Sequence, residues 1–194
     1  MISRLNRIII IFFLLILSGC SFYSFKGSIP GHIKSVYIAP IDNTTMESSV
    51  SNIIKFELEQ SFITENVLKL LSIEDSDSRI DVSVTSFTDL PYDYDIDDLD
   101  ATGHETVNAY EVTIRAKVKW YDIENDLTII EQEFVGFGRY DPNIDIGLDG
   151  IDNDNDSFID EMDDDEFGLP RESAIKIASK HIVDLIINNI ISTW

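Results

Sequence analysis

The chain has little cysteine, little positive charge and no long apolar run. A single cysteine, Cys20, among 194 residues excludes an intramolecular disulfide framework and a cysteine-rich metal cluster. Lys and Arg total 14 against 36 Asp and Glu, a net charge of −22, which excludes the cationic surface that nucleic acid demands. His32, His104 and His181 lie far apart without paired-ligand spacing, and neither a Gly-x-Ser-x-Gly elbow nor a phosphate-cradling glycine loop is present. The sequence therefore offers no catalytic residues, and the expectation is a protein that is not an enzyme. The run Ile8 to Leu17 is about half the roughly 20 apolar residues that cross a bilayer.

What surrounds that run is the most informative feature present. Arg4 and Arg7 precede it and Leu17-Ser18-Gly19-Cys20 closes it, the order of a bacterial lipoprotein signal. Residues 1–19 are read as a cleaved signal peptide and residues 20–194 as one mature domain, with an N-acyl diacylglycerol, palmitate included, on Cys20. Ser21 follows the cysteine where aspartate would favour inner-membrane retention, so the expected address is the periplasmic face of the outer membrane. Loss of Arg4 and Arg7 leaves 12 basic residues against 36 acidic ones, a mature charge near −24. At 44% hydrophobic residues the chain is still globular in composition. Its charge is concentrated in two blocks, Asp89 to Asp100 and Asp141 to Glu166.

Outside the blocks the pattern is that of an α/β chain. After a linker from Ser21 to Ile33, Val36 to Ile41 reads as a strand stopped by Pro40 and the polar Asp42 to Thr45. Val50, Ile53, Ile54, Leu58 and Phe62 recur at helical spacing, predicting a helix over about 48–64 with Ser48 or Ser49 as N-cap and Asn66 as its breaker. Val67 to Ser72 is a short strand candidate, and Ile80, Val82 and Val84 alternate with polar residues. From Tyr110 to Trp120 the alternation is near perfect, and Leu127 to Phe137, bounded by Gly136 and Gly138, reads as its hairpin partner. Pro170 and Glu172 open a second helix whose stripe is Ile175, Ala178, Ile182, Leu185, Ile186 and Ile190. The predicted fold is α+β: a two-layer sandwich, two helices on one face of a mainly antiparallel or mixed sheet of about four to five strands.

Cys20, the segment Phe22-Tyr23-Ser24-Phe25-Lys26-Gly27-Ser28-Ile29-Pro30 and the following His32 to Ile38 resemble the mature start of the LptE (RlpB) lipoproteins, which assemble lipopolysaccharide. The polar Asp42 to Thr45, the Ile80 to Phe87 strand and the strand ending in Val118-Lys119-Trp120 fall in the same order. The resemblance spans the mature chain except an acidic insert at about 141–167. It implies a noncatalytic outer-membrane lipoprotein that plugs and supports an LptD-type β-barrel and assists lipopolysaccharide delivery to the cell surface. The alternative is a calcium-binding envelope lipoprotein, a structural or interaction module unrelated to lipopolysaccharide.

Two residue sets are candidate sites. Arg115, Lys117 and Lys119 share one strand face; they suit lipid A phosphates, or else cross-strand pairing with Glu131 and Glu133, the reading the spacing favours. In the insert, Asp149 to Asp163 resembles the calcium loops of thrombospondin type 3 repeats, dockerins and EF-hands. Asp152, Asp154, Asp156 and Asp160 would supply Ca2+ ligands at positions 1, 3, 5 and 9, Phe158 a carbonyl at position 7 and Asp163 the last carboxylate. Ser157 stands where glycine is usual. Asp93, Asp95, Asp97, Asp98 and Asp100 lack such spacing and read as a solvated loop between strands.

Overall fold

The alternation from Tyr110 to Trp120 becomes the centre of a sheet. In a computed structural model of the protein, which describes residues 29–96, 105–144, 146–148, 150, 152, 153, 157–159 and 169–192, this stretch lies within β5 (Glu105–Asp122). Antiparallel β4 (Ser78–Ile96) flanks it on one side and antiparallel β6 (Leu127–Tyr140) on the other. Further out, β1 (Ser35–Ile38) pairs parallel with β4, and β3 (Lys69–Leu70) pairs parallel with β1. The two-residue β2 (Asp42–Asn43) also runs parallel to β4, completing a mixed six-stranded sheet.

Two helices cover one face. Helix α1 (Ser49–Glu65) connects β1 and β2 to β3, and α2 (Pro170–Ser192) follows β6 and the insert. The alternation places Val82, Val84, Val112, Ile114, Ala116, Val118 and Trp120 under the helices, whose stripes Val50, Ile54, Leu58, Phe62 and Ile175, Ala178, Ile182, Ile186, Ile190 close the same core. Trp120 is 1% exposed; burials of this kind contribute on the order of 2 kcal/mol each. Both helices start at the same end of the sheet. Arg171 at the start of α2 reaches Glu47 just before α1, and the last turns meet around Glu65, Asp184 and Asn188.

Several sequence expectations need correction. Val67 to Ser72 contributes only two strand residues, and Asp42-Asn43, expected as part of a terminating polar segment, adds its own short strand. Asn66 does end α1, in left-handed backbone at φ 50°. Ser48 occupies the cap position without a capping side-chain bond, while the Ser49 hydroxyl donates to Glu47 Oε1 at 2.7 Å.

Gly136 and Gly138 are not strand boundaries, because β6 continues to Tyr140. A Cβ at either position would collide with the backbone carbonyl of Ala178 or Ala174. Glycine here lets a helix lie directly on a strand. The block at Asp93 and Asp95 is likewise not a loop. These residues extend β4, opposite Ala109 and Thr106, because the apolar-acidic alternation there satisfies strand pairing. Asp97, Asp98 and Asp100 lie outside the described residues.

Candidate functional site

The face of the sheet opposite the helices carries the basic ladder. Register puts Lys119 between Asp81 and Glu131, Lys117 between Ser83 and Glu133, and Arg115 between Ser86 and Val135. The side chains pair diagonally. Arg115 Nη1 lies 3.3 Å from Glu133 Oε1 and Lys117 Nζ 3.1 Å from Glu131 Oε1, each pair about half exposed. Arg79 with Asp81 at 2.8 Å and Arg139 with Glu111 at 3.0 Å add further pairs. The centre of the face is thus polar and largely charge-compensated on a chain of net charge −22, and toward Glu111 it also carries the exposed Leu90 and Tyr92.

At the end where both helices begin, one guanidinium ties α2 to β4 and to the segment before α1. Arg171 donates from Nε to Asp89 Oδ2 at 2.8 Å and from Nη2 to Glu47 Oε2 at 3.0 Å, and its plane lies over Phe87. Tyr140, the last residue of β6, donates its hydroxyl to Asp89 Oδ1 at 3.0 Å and stacks on Tyr110. The Ser49 hydroxyl, then Arg171, hold the Glu47 carboxyl below its usual range. Burial and the neighbouring Asp89 carboxylate push the Tyr140 phenol upward, so it remains a donor. Neither Arg171 nor Tyr140 stood out in the sequence; an arginine in a first helical turn, where anions are favoured, is the signal that could have found the cluster.

At the opposite end, Asp77 Oδ2 accepts the Lys34 and Ser35 amides and the Ser35 hydroxyl at 2.8–3.0 Å. The Lys34 amide, then the Ser35 hydroxyl, keep that carboxyl below its usual range. His32 Nε2 lies 2.7 Å from Asp122 Oδ2 and 3.0 Å from Asn125 Nδ2. Burial alone would raise the Asp122 carboxyl, but donation by Asn125 and His32 outweighs it and leaves it lowered. This His–Asp contact fastens the start of β1 to the β5–β6 turn. His181 packs edge-on against Phe137, far from His32 in the chain, and His104 lies outside the described residues.

The insert is held to the domain through Asn153 and through Ile146, which is fully buried in the core. Asn153, fully buried, accepts the Arg139 amide on its carbonyl at 2.8 Å, and its Nδ2 donates to the Arg139 carbonyl. Of the calcium-loop residues, Asp152 and Phe158 are described, while Asp154, Asp156, Asp160 and Asp163 lie outside. Ser157, at loop position 6, has φ +83° and donates its amide to Asp152 Oδ2 at 3.1 Å. Among the described residues no group of three His, Cys, Asp or Glu side chains could hold a metal. Residues 1–19 and Cys20 also lie outside, and no described helix is long and apolar enough to cross a membrane.

Comparison with known proteins adds a family. The model of a family described as "LptE: Lipopolysaccharide-assembly" matches residues 33–190. No curated protein sequence matches. Among solved structures, lipoprotein B from Nitrosomonas europaea is similar at 16% identity and TM-score 0.46, covering 87% of this chain and 90% of its own. A hypothetical protein from Chlamydia trachomatis is similar at 10% identity and TM-score 0.48, covering 81% of this chain and 98% of its own. A protein from Xanthomonas campestris is similar at 8% identity and TM-score 0.48, covering 87% and 90%.

Proposed function

The chain belongs to the LptE lipopolysaccharide-assembly family, and from that premise we propose that it is a noncatalytic outer-membrane lipoprotein that plugs and supports an LptD-type β-barrel during lipopolysaccharide delivery. The family match over residues 33–190 carries this reading. The physical character of the domain agrees with it. A barrel lumen is polar, and the centre of the open sheet face offers paired Arg115, Lys117, Glu131 and Glu133. Lipidation of Cys20 would keep the domain at the periplasmic face, beside the barrel. Because Arg115 and Lys117 already have carboxylate partners, contact with lipid A phosphates through Arg115, Lys117 and Lys119 would have to displace Glu133 and Glu131.

Affinity purification of the native lipoprotein tests the reading. Recovery of an LptD-type barrel is expected; repeated recovery of other envelope proteins without such a barrel would overturn it. Replacing Cys20 by alanine should release the domain from the membrane fraction.

A second property is favoured by one observation. Ser157 adopts the left-handed backbone that position 6 of a calcium loop requires, with its amide on the position 1 carboxylate of Asp152. We propose that Ca2+ organises the insert through Asp152, Asp154, Asp156, Phe158, Asp160 and Asp163. Calorimetry on the purified mature protein should detect calcium binding, and a flat titration would remove the proposal without touching the family assignment.

A further inference from the structure

Beyond Tyr140, which lies opposite Tyr110, β6 ends and β4 and β5 continue as a two-stranded ribbon. Asp93 faces Ala109, Tyr94 faces Val107, Asp95 faces Thr106 and Ile96 faces Glu105, and no third described strand pairs with them. A ribbon of two strands is marginal in water by itself. Large apolar side chains are exposed at its base and along it: Leu90, opposite Glu111 where β6 still pairs, is 60% exposed, and Tyr92 and Tyr94 are 50% and 51% exposed. Pro91 and register shifts at Pro91/Asp93 and Asp93/Tyr94 interrupt the edge, which disfavours strand addition and leaves side chains as the means of recognition.

The charge of the sequence in and around the ribbon narrows what could cover it. From Ile80 to Ile114 the sequence holds no Lys or Arg, while Asp89, Asp93, Asp95, Asp97, Asp98, Asp100, Glu105 and Glu111 fall between Asp89 and Glu111. The cations that approach are already engaged. Arg139 lies 4.0 Å over the Tyr92 ring and pairs with Glu111, and Arg171 pairs with Asp89. An anionic bilayer surface would be repelled by such a segment, and so would a second copy presenting the same acids. What remains complementary is a positively charged protein surface with an apolar recess for the exposed aromatic rings.

We propose that the projecting β4–β5 ribbon is a docking arm for a basic protein surface, with Leu90, Tyr92 and Tyr94 as apolar anchors and the surrounding carboxylates steering approach. The arm prolongs the sheet face discussed above beyond the end of β6, starting at Leu90 and Tyr92 beside the Glu111–Arg139 pair, and its partner is defined by charge, whether or not it is a barrel.

Photo-crosslinking in the native envelope tests this, with p-benzoylphenylalanine placed at Tyr94 and, as control, at the exposed Ile63 of α1. From Tyr94 the expected product is a protein adduct whose linked peptide carries net positive charge, absent from the Ile63 control. Asp93→Lys, at an exposed position that leaves thermal stability unchanged, should cut the yield by about threefold or more, as reversal of a steering charge does. Adducts with lipid or with the chain itself, no adduct, a neutral or acidic peptide, or a yield indifferent to Asp93→Lys would each overturn the proposal. Recovery of a barrel by affinity purification alongside any of those results would leave the family reading standing and the docking arm refuted.

Discussion

The carbonyl of Ala178 occupies the space that a side chain at residue 136 would need. Helix α2 therefore rests on the bare backbone of β6, and the Ala174–Gly138 contact repeats the arrangement one turn away. Gly136→Ala must push the helix off the sheet, since the obstructing atom is backbone rather than a movable side chain. The expected cost is about 3 kcal/mol, the upper part of the overpacking range. A thermal melt should show Tm falling by roughly 6–12 °C for a domain of this size. An unchanged Tm would mean the contact is looser than described.

Arg171 should matter through geometry more than through charge alone. Its side chain is 41% exposed, so water screens its pairs, and Arg171→Met is expected to cost only about 1 kcal/mol. Lysine cannot fork between Asp89 and Glu47, so Arg171→Lys should recover less than half of the loss. Tyr140→Phe removes the other donor to Asp89. In a double-mutant cycle by urea denaturation the two sites should couple through that shared carboxylate rather than add.

Acid should loosen the end where β1 begins. The Asp77 carboxyl is held below its ordinary range by the Lys34 amide and the Ser35 hydroxyl, so the folded form binds its proton less tightly than the unfolded chain, which titrates near about 3.9. Stability from this group is complete above that value and disappears as pH falls through the lower folded one. Asp77→Asn should thus be less stable than the parent at pH 7, with the difference shrinking below about pH 4. Urea midpoints at pH 7 and pH 3 read this directly; a constant difference would show that ionisation is not the source.

Ser157 holds φ +83° without the freedom of glycine. Ser157→Gly removes a left-handed backbone penalty of roughly 1 kcal/mol. In chelator the insert should resist proteolysis better than in the parent protein. If the loop takes calcium, calorimetry should also show tighter binding by the variant. Weaker protection in chelator would indicate that the serine hydroxyl supplies more than it costs.

The elements most legible in the sequence were those whose burial is one-sided. Tyr110 to Trp120 alternates because one face meets helices and the other meets water, and the α1 and α2 stripes follow from the same asymmetry. The β1–β3 and β1–β4 pairings were not legible, since strands of two to four residues carry too few side chains to display a period. Gly136 and Gly138 were misread because a glycine that admits a helix and one that ends a strand look alike in a single chain. Arg115 and Lys117 found the glutamates that spacing suggested. The Arg171 cluster joins residues up to 124 positions apart, and no local pattern announces it.

The parallel course of α1 and α2 has an electrostatic consequence. Side by side and aligned, their macrodipoles put two partial positive charges at one end, an arrangement that costs energy unless anions lie there. Glu47 precedes the first helix, Glu172 sits in the first turn of the second, Asp89 joins them through Arg171, and the acidic insert enters α2 from that same end. The concentration of carboxylates in this part of the chain thus has a counterweight built into the backbone. Reversing both helices would leave the same sequence with its negative charge facing two carbonyl-rich termini.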